Sequence, residues 1–304
     1  MNYKITCHLM PWELDYALLS FTQLKKSYYY LDSSDKVYID VVLNLSSYIF
    51  NWDQTPLSKS FFIKKFENLQ PLLKNYICRF KIFDENLLYG GLDSQKFSTE
   101  DHIDHYIVLN PDIYFSETLL FHLIESSKLI TNKSFIITPQ IPKLWDHTWD
   151  VISHPNYKDT PYNKWDSLDV YDVRSFSKNL EDIYLTPINQ HKWAGWMDLY
   201  SKNAWDWFMS PSEMDWKGYG GCDFFAMMLS DYAKKQGLDF QQYLLNNQIV
   251  CEYEVGPLNN NNLSTHYKKL IVLKDIPNQR KQFDSKMQEY LNKGVELLKA
   301  KQLI

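Results

Sequence analysis

Residues Tyr106 to Ser116 read YIVLNPDIYFS. Tyr106 to Leu109 has the apolar, β-rich texture of a strand ending inside a core. Asn110, Pro111 and Asp112 then interrupt it, and Leu119, Leu120, Leu123 and Ile124 mark one face of a helix capped by Ser116. A strand, a polar turn and an apolar helix in this order form the first half of a crossover between parallel strands. The same grammar recurs on both sides of the stretch. Tyr3 to Met10 is a short apolar run, and Pro11 stands in the first turn of a helix with a Leu14, Leu18, Phe21 and Leu24 stripe. Val37 to Leu43 is a continuous β-branched run, as in a strand buried on both faces. A second helix is predicted within Phe61 to Leu73, ending near Pro71. Strands are predicted at Tyr76 to Phe83, His105 to Leu109 and Phe135 to Thr138.

The fold class is therefore α/β, with a mostly parallel central sheet and flanking helices. In such sheets ligands bind outside the carboxyl ends of the strands. Three stretches stand at such ends and are expected to line one cleft: His8 to Pro11 (His8, Met10 and Pro11 above all), Asn44, and Asn110 to Asp112.

The texture changes from Pro142 to Trp216, which holds eight of the ten tryptophans. Periodicity is weak from Pro142 to Glu181, so long ordered loops are expected. Gly220 to Lys235 reads as a helix entered through glycine, with Phe224, Phe225, Met228 and Tyr232 on its buried side. Tyr253 to Pro257 closes a further strand, Asn259 to Ser264 is a polar loop, and the tail is an amphipathic helix faced by Phe283, Met287, Tyr290, Leu291 and Leu298. The expected division is a catalytic domain over residues 1–258, with halves 1–140 and 141–258, and a loop and helix over 259–304.

The 304 residues carry a net charge of −5, which argues against broad electrostatic capture of nucleic acid or anionic membrane. One local exception, Lys59, Lys64, Lys65, Lys74, Arg79 and Lys81, reads as a solvated helix and strand edge. Cys7, Cys78, Cys222 and Cys251 are scattered without a CxxC pair, which points to a reducing compartment. No signal-peptide pattern and no run of about 18 apolar residues is present, and a cytoplasmic location is expected.

Two carboxylates are candidates for chemistry. Asp112, at a strand end, suits a divalent metal that bridges phosphates, and Asn110 can add an amide oxygen or bond a ribose hydroxyl. As plain structure, Asn-Pro-Asp is a turn. In KGYGGCDFF, Lys217 to Phe225, the glycines permit close backbone approach to a ligand, and Asp223 in the first helical turn can take a proton from an attacking hydroxyl. As plain structure, Asp223 is a favourable acid at a helix start. The spacing is not a dinucleotide fingerprint, because no strand immediately precedes it.

Taken together, the strand ending in Asn110-Pro111-Asp112, the aromatic segment and Gly220-Gly221-Cys222-Asp223 resemble GT-A-fold glycosyltransferases of the inverting, family-two-like kind. The resemblance spans roughly residues 3 to 255. It implies a nucleotide-diphosphate sugar as donor, manganese or magnesium as metal, and transfer to a hydroxyl. The family's Asp-x-Asp motif stands here with asparagine in its first place, so only Asp112 carries over as metal ligand. Asp223 matches the catalytic base. Gly90-Gly91-Leu92-Asp93-Ser94-Gln95 is similar to the segment that faces the donor, which makes Asp93 a donor-binding candidate. His266, in STHYKK, matches the late histidine that serves some of these enzymes as a metal ligand; its plain reading is structural or exposed. Trp193, Trp196 and Trp216, with Gly220 and Gly221, are acceptor-site candidates, since indole faces stack on sugars; core packing is the plainer role of most of the tryptophans.

The expected acceptor is a saccharide or glycan hydroxyl. A hydroxymethylated DNA base is the alternative, with the Lys59 to Lys81 cluster as backbone contact. Two rival readings are a non-catalytic carbohydrate-binding protein and a sugar-phosphate nucleotidyltransferase. Against the second stands the loop HLMPWELD, which lacks the glycine-rich, basic character of a triphosphate cradle.

Overall fold

A computed structural model describes residues 1–45, 57–85, 91–140, 143–145, 151–153, 183–188, 196–211, 222–252 and 276–304. Its elements are β1 (Asn2–Leu9), α1 (Leu14–Ser27), β2 (Lys36–Asn44), α2 (Lys59–Glu67), β3 (Ile77–Phe83), α3 (Gly91–Ser98), β4 (His105–Leu109), β5 (Ile113–Phe115) and α4 (Leu119–Leu129). There follow β6 (Ser134–Gln140), β7 (Lys143–Trp145), β8 (Val151–Ser153), β9 (Leu185–Ile188), β10 (Met197–Ser201), α5 (Cys222–Lys235), β11 (Phe240–Glu252) and α6 (Ile276–Ala300).

The main sheet runs β3-β2-β1-β4-β10-β6-β11-β5, with β9 also paired to β11. Strands β3, β2, β1 and β4 are mutually parallel, as are β6 and β11. β10 lies antiparallel between β4 and β6, and so knits the two halves of the chain into one sheet. The expected mostly parallel α/β architecture is what the chain forms. β7 and β8 pair separately.

Each face of the sheet has its own core. Tyr3, Ile5, Cys7 and Leu9 of β1, with Ile39, Val41 and Leu43 of β2, pack beneath Phe21 and Leu24 of α1, Phe62 and Phe66 of α2, and Leu119 and Leu123 of α4. The opposite face gathers Tyr106, Ile136, Tyr200, Trp205 and Phe208 beneath Phe225 and Leu229 of α5 and Leu298 of α6. This is the period-two alternation expected of strands covered on both sides.

Several boundaries differ from the sequence expectation. Leu18 is 46% exposed, because the buried stripe of α1 runs Leu14, Ala17, Phe21, Leu24 and includes the polar Ser20. Tyr232 is 39% exposed, since α5 buries Phe225, Ala226, Leu229 and Ala233 instead. The short strand β5 intervenes between Asp112 and α4, so Thr118 rather than Ser116 occupies the cap position. Ser116 closes the strand-to-helix turn, its Oγ accepting the Thr118 N–H at 3.1 Å. The strand sought at Tyr253 to Pro257, the polar loop after it and most of Pro142 to Glu181 lie outside the described residues.

α6 meets α5 through a notch. A Cβ on Gly294 would stand 2.9 Å from Leu229 Cδ2 and 3.0 Å from Phe225 Cζ, so the absent side chain is what permits this approach. Among the described residues no helix is long and apolar enough to cross a membrane.

Candidate functional site

The carboxyl ends of β2, β1 and β4 lie side by side. Leu9 pairs with Leu43 and His8 with Val42, while Thr6 pairs with Val108. Asn44 therefore ends one residue beyond Leu9, and Asn110 stands level with His8. The three stretches read as strand ends share one sheet edge.

The Asn110-Pro111-Asp112 turn is held from two sides. The Asn110 N–H donates to the Trp196 carbonyl at 2.8 Å. From α1, the buried Ser20 hydroxyl reaches the Pro111 carbonyl at 2.7 Å and the Ile113 carbonyl at 2.6 Å, one proton serving both. Asn110 and Asp112 are half-buried on this pinned turn. Next to it, Glu13 closes the exit of β1: the Met10 N–H donates to Glu13 Oε2 at 2.7 Å and the Glu13 N–H to the Met10 carbonyl at 2.9 Å. Burial pushes the Cys7 thiol well up, and the charges of Glu13 and Asp112 push it further. Both carboxylates are thus felt at the end of β1. Met10 and Pro11 are buried there, and Asn44 is 1% exposed at the end of β2.

The second face of β1 is polar. Lys4, Thr6 and His8 point toward α3, whose last residue donates Ser98 Oγ–H to Thr6 Oγ1 at 3.1 Å. Beyond it, Glu100 Oε2 lies 2.5 Å from Lys4 Nζ. α3 therefore runs antiparallel to β1, with its first turns toward the carboxyl edge. Among the described residues, three polar atoms in this zone are shielded from water without a hydrogen-bond partner: His8 Nε2, Ser94 Oγ and Gln95 Oε1. Leaving such atoms unpaired costs about 1–3 kcal/mol each, and a polar guest at this edge is one way to offset that cost. Burial lowers the His8 imidazole to about 4, so it is neutral near pH 7. Asp93 is half-buried in the same helix.

The remaining sequence candidates are placed unevenly. Asp223 is in the first turn of α5, on the same sheet face as α3, with its side chain outside the described residues. His266, Trp193, Trp216, Gly220 and Gly221 lie outside the described residues altogether. Trp196 is 4% exposed and its ring belongs to the core of the first face, where it packs rather than offering a flat surface. Three of the six cations between Lys59 and Lys81 are neutralised: Lys59 by Asp84, Lys65 by Asp15, and Arg79 by Asp40 and Glu100. Among the described residues no three His, Cys, Asp or Glu side chains gather as a metal site. The oxygen chemistry of Asp112 and Asn110 nevertheless suits a hard cation, which commonly takes only one or two protein carboxylates.

Sequence reading alone passed over Glu13 and Ser20, and named Ser94 and Gln95 only as members of the donor-facing segment without a role of their own. Ser20 carried a signal, a polar residue inside an apolar helical stripe. Ser94 and Gln95 carried none beyond membership of the GGLDSQ segment.

No protein-family model matches this sequence, and no curated protein matches it. Solved structures resemble its backbone. S. aureus TarS 1–349 has 12% identity and TM-score 0.42, over 90% of this chain and 69% of that one. The same protein in complex with UDP-GlcNAc gives 10% and 0.44, over 89% and 65%. HddC from Yersinia pseudotuberculosis gives 12% and 0.40, over 88% and 99%. GalNAc-T7 with UDP, GalNAc and Mn2+ gives 10% and 0.46, over 83% and 43%. At these identities the likeness concerns the course of the backbone alone. The sheet itself is a mostly parallel α/β sheet, with β10 inserted antiparallel between its two parallel sets.

Proposed function

We propose that this protein is a glycosyltransferase that moves a sugar from a nucleotide-diphosphate donor to a hydroxyl acceptor, a saccharide in the first instance. The observation that carries the reading is the set of unpaired buried polar atoms, His8 Nε2, Ser94 Oγ and Gln95 Oε1, at the carboxyl edge of β1. A neutral imidazole, a hydroxyl and an amide oxygen offer donors and acceptors without net charge. That chemistry suits the edge of a nucleobase better than a phosphate. Asn44 and Asp93 flank this zone for the ribose, and Asn110 and Asp112 follow on the next strand for the diphosphate.

The division of labour follows from charge. The leaving diphosphate gains negative charge as the anomeric carbon becomes cation-like. A manganese or magnesium ion held by Asp112, with His266, would neutralise that charge. Asp223 takes the proton of the incoming hydroxyl from the opposite side, which gives inversion at the anomeric carbon. Trp193, Trp216, Gly220 and Gly221 supply the acceptor side.

The nucleotidyltransferase reading fits less well. The loop after β1 is folded into a tight turn, and its Met10 N–H is already taken by the Glu13 carboxylate, so it offers no open cradle to a triphosphate. The carbohydrate-binding reading leaves the unpaired atoms under α3 without a purpose.

The test is a screen of UDP-, GDP-, CMP- and dTDP-sugars with Mn2+, read by nucleotide release. Asp112→Ala is expected to lose metal-dependent donor binding. Asp223→Asn is expected to keep binding and lose about 10²–10⁴ in turnover. Silence across all four nucleotides would overturn the reading, and normal turnover by Asp223→Asn would remove the base assignment.

A further inference from the structure

The chain leaves β10 through a π turn, Trp205–Met209, closed by the Ser210 N–H on the Trp205 carbonyl at 2.8 Å. Such turns are rare and concentrate at functional places. Trp205 is wholly buried, stacked on Tyr106 at 4.4 Å and 10°. Its indole N–H donates to Thr99 Oγ1 at 2.8 Å. Thr99 Oγ1 in turn lies 2.8 Å from the Gln95 carbonyl and 3.2 Å from Ser210 Oγ. Tyr106 closes the same junction, its hydroxyl donating to the Glu100 carbonyl at 2.8 Å and accepting the Glu100 N–H at 2.9 Å.

Two bodies meet at this point. One is α3, whose first turns carry Ser94 and Gln95. The other is the π turn, whose Trp205 and Phe208 share a core with Phe225 and Leu229 of α5, the helix whose first turn holds Asp223. We propose that Trp205, Thr99 and Ser210 form a joint that fixes the donor-covering helix against the limb bearing the candidate base. They are positioning residues, which touch neither donor nor acceptor. The catalytic consequence rests on the function proposed above; the mechanical joint does not.

Trp205→Phe keeps an aromatic ring on Tyr106 but removes the N–H together with part of the buried indole, while Thr99→Val removes the acceptor at nearly constant shape and is the cleaner cut. Hydrogen exchange is measured on both variants. Amides of residues 91–98 and 222–228 are expected to exchange about tenfold faster together, with β1 and β2 unchanged. With UDP-GlcNAc as the probe donor, UDP release is expected to slow about tenfold while UDP affinity stays within about twofold. The double variant should lose less than the sum of the singles, because both break the same Trp205–Thr99 bond. Faster exchange confined to residues 202–210, faster exchange across the whole sheet, or additive losses in the double variant would each overturn the joint. If the wild-type chain binds and releases none of the four nucleotides, the proposed function fails; if it is silent with UDP only, the donor that the screen identifies replaces UDP-GlcNAc, and in either case the exchange data alone decide the joint.

Discussion

Replacing Asp40 by Asn tests how α3 is held over the sheet. Asp40 is 1% exposed and receives three contacts: Lys4 Nζ at 3.3 Å, and Arg79 through Nε at 2.8 Å and Nη2 at 2.6 Å. Lys4 and Arg79 also each reach Glu100 at 2.5 Å, so two cations and two anions balance. Asp40→Asn keeps the volume and leaves two cations facing one carboxylate, with Lys4 only 1% exposed. Breaking a buried pair in this way costs about 3–5 kcal/mol. Arg79 can turn its charge toward water, its side chain being 42% exposed, so the lower end applies, about 3 kcal/mol. At about 2 °C per kcal/mol for a chain of this size, melting should fall by about 6 °C. Lys4→Met alone should cost less, because Asp40 keeps its two-point contact with Arg79. The double variant Lys4→Met/Asp40→Asn should be more stable than the sum of the singles requires, since it buries no unpaired lysine. Thermal melts of the four proteins read this directly. A melting point for Asp40→Asn unchanged from wild type, or strictly additive singles, would refute the reasoning.

Burial lowers both His8 and His105 to about 4, against an unfolded value near 6.5. The unfolded chain then binds more protons between these values, so stability falls as pH drops from about 6.5 to about 4, by roughly 3 kcal/mol per histidine. Urea melts across that window should show the slope, and His105→Phe should remove about half of it; a flat profile would contradict the burial argument. Ser20→Ala leaves the Pro111 and Ile113 carbonyls without their bond and should cost about 1–3 kcal/mol, read in the same melts, with weaker metal-dependent nucleotide binding if the turn serves the site. Gly294→Leu overfills the notch between α5 and α6 and should cost about 1–3 kcal/mol, of which Leu229→Ala should return part; equal melting of Gly294→Leu and wild type would refute the close packing.

The strands β2 and β4 were legible because burial on both faces favours largely apolar, β-branched runs, and VYIDVVL and YIVL supply them; β1 showed through the alternating Tyr3, Ile5, Cys7 and Leu9. The edge location of His8, Asn44 and Asn110 followed from the general rule for parallel sheets rather than from any motif. β5 was not legible, since three residues after a proline carry no periodicity. β11 was hidden by its own irregularity: its register shifts between Leu245 and Ile249, so the apolar alternation is broken by NNQ. Of α3, the resemblance singled out Asp93 but not the inward-turned side chains. Ser94 and Gln95 are the residues a solvent-exposed helix would carry, and only tertiary packing turns them inward. Trp205 likewise reads as one more core aromatic until its N–H is seen to meet Thr99.

The central claim is that three segments distant in sequence hold one nucleotide. Hydrogen exchange with and without UDP, GDP, CMP or dTDP in the presence of Mn2+ measures this most directly. Slower exchange is predicted in residues 8–13, 91–98 and 110–113 together, with at least one of the four nucleotides. Protection by none of them, or protection that leaves these three segments untouched, would contradict it.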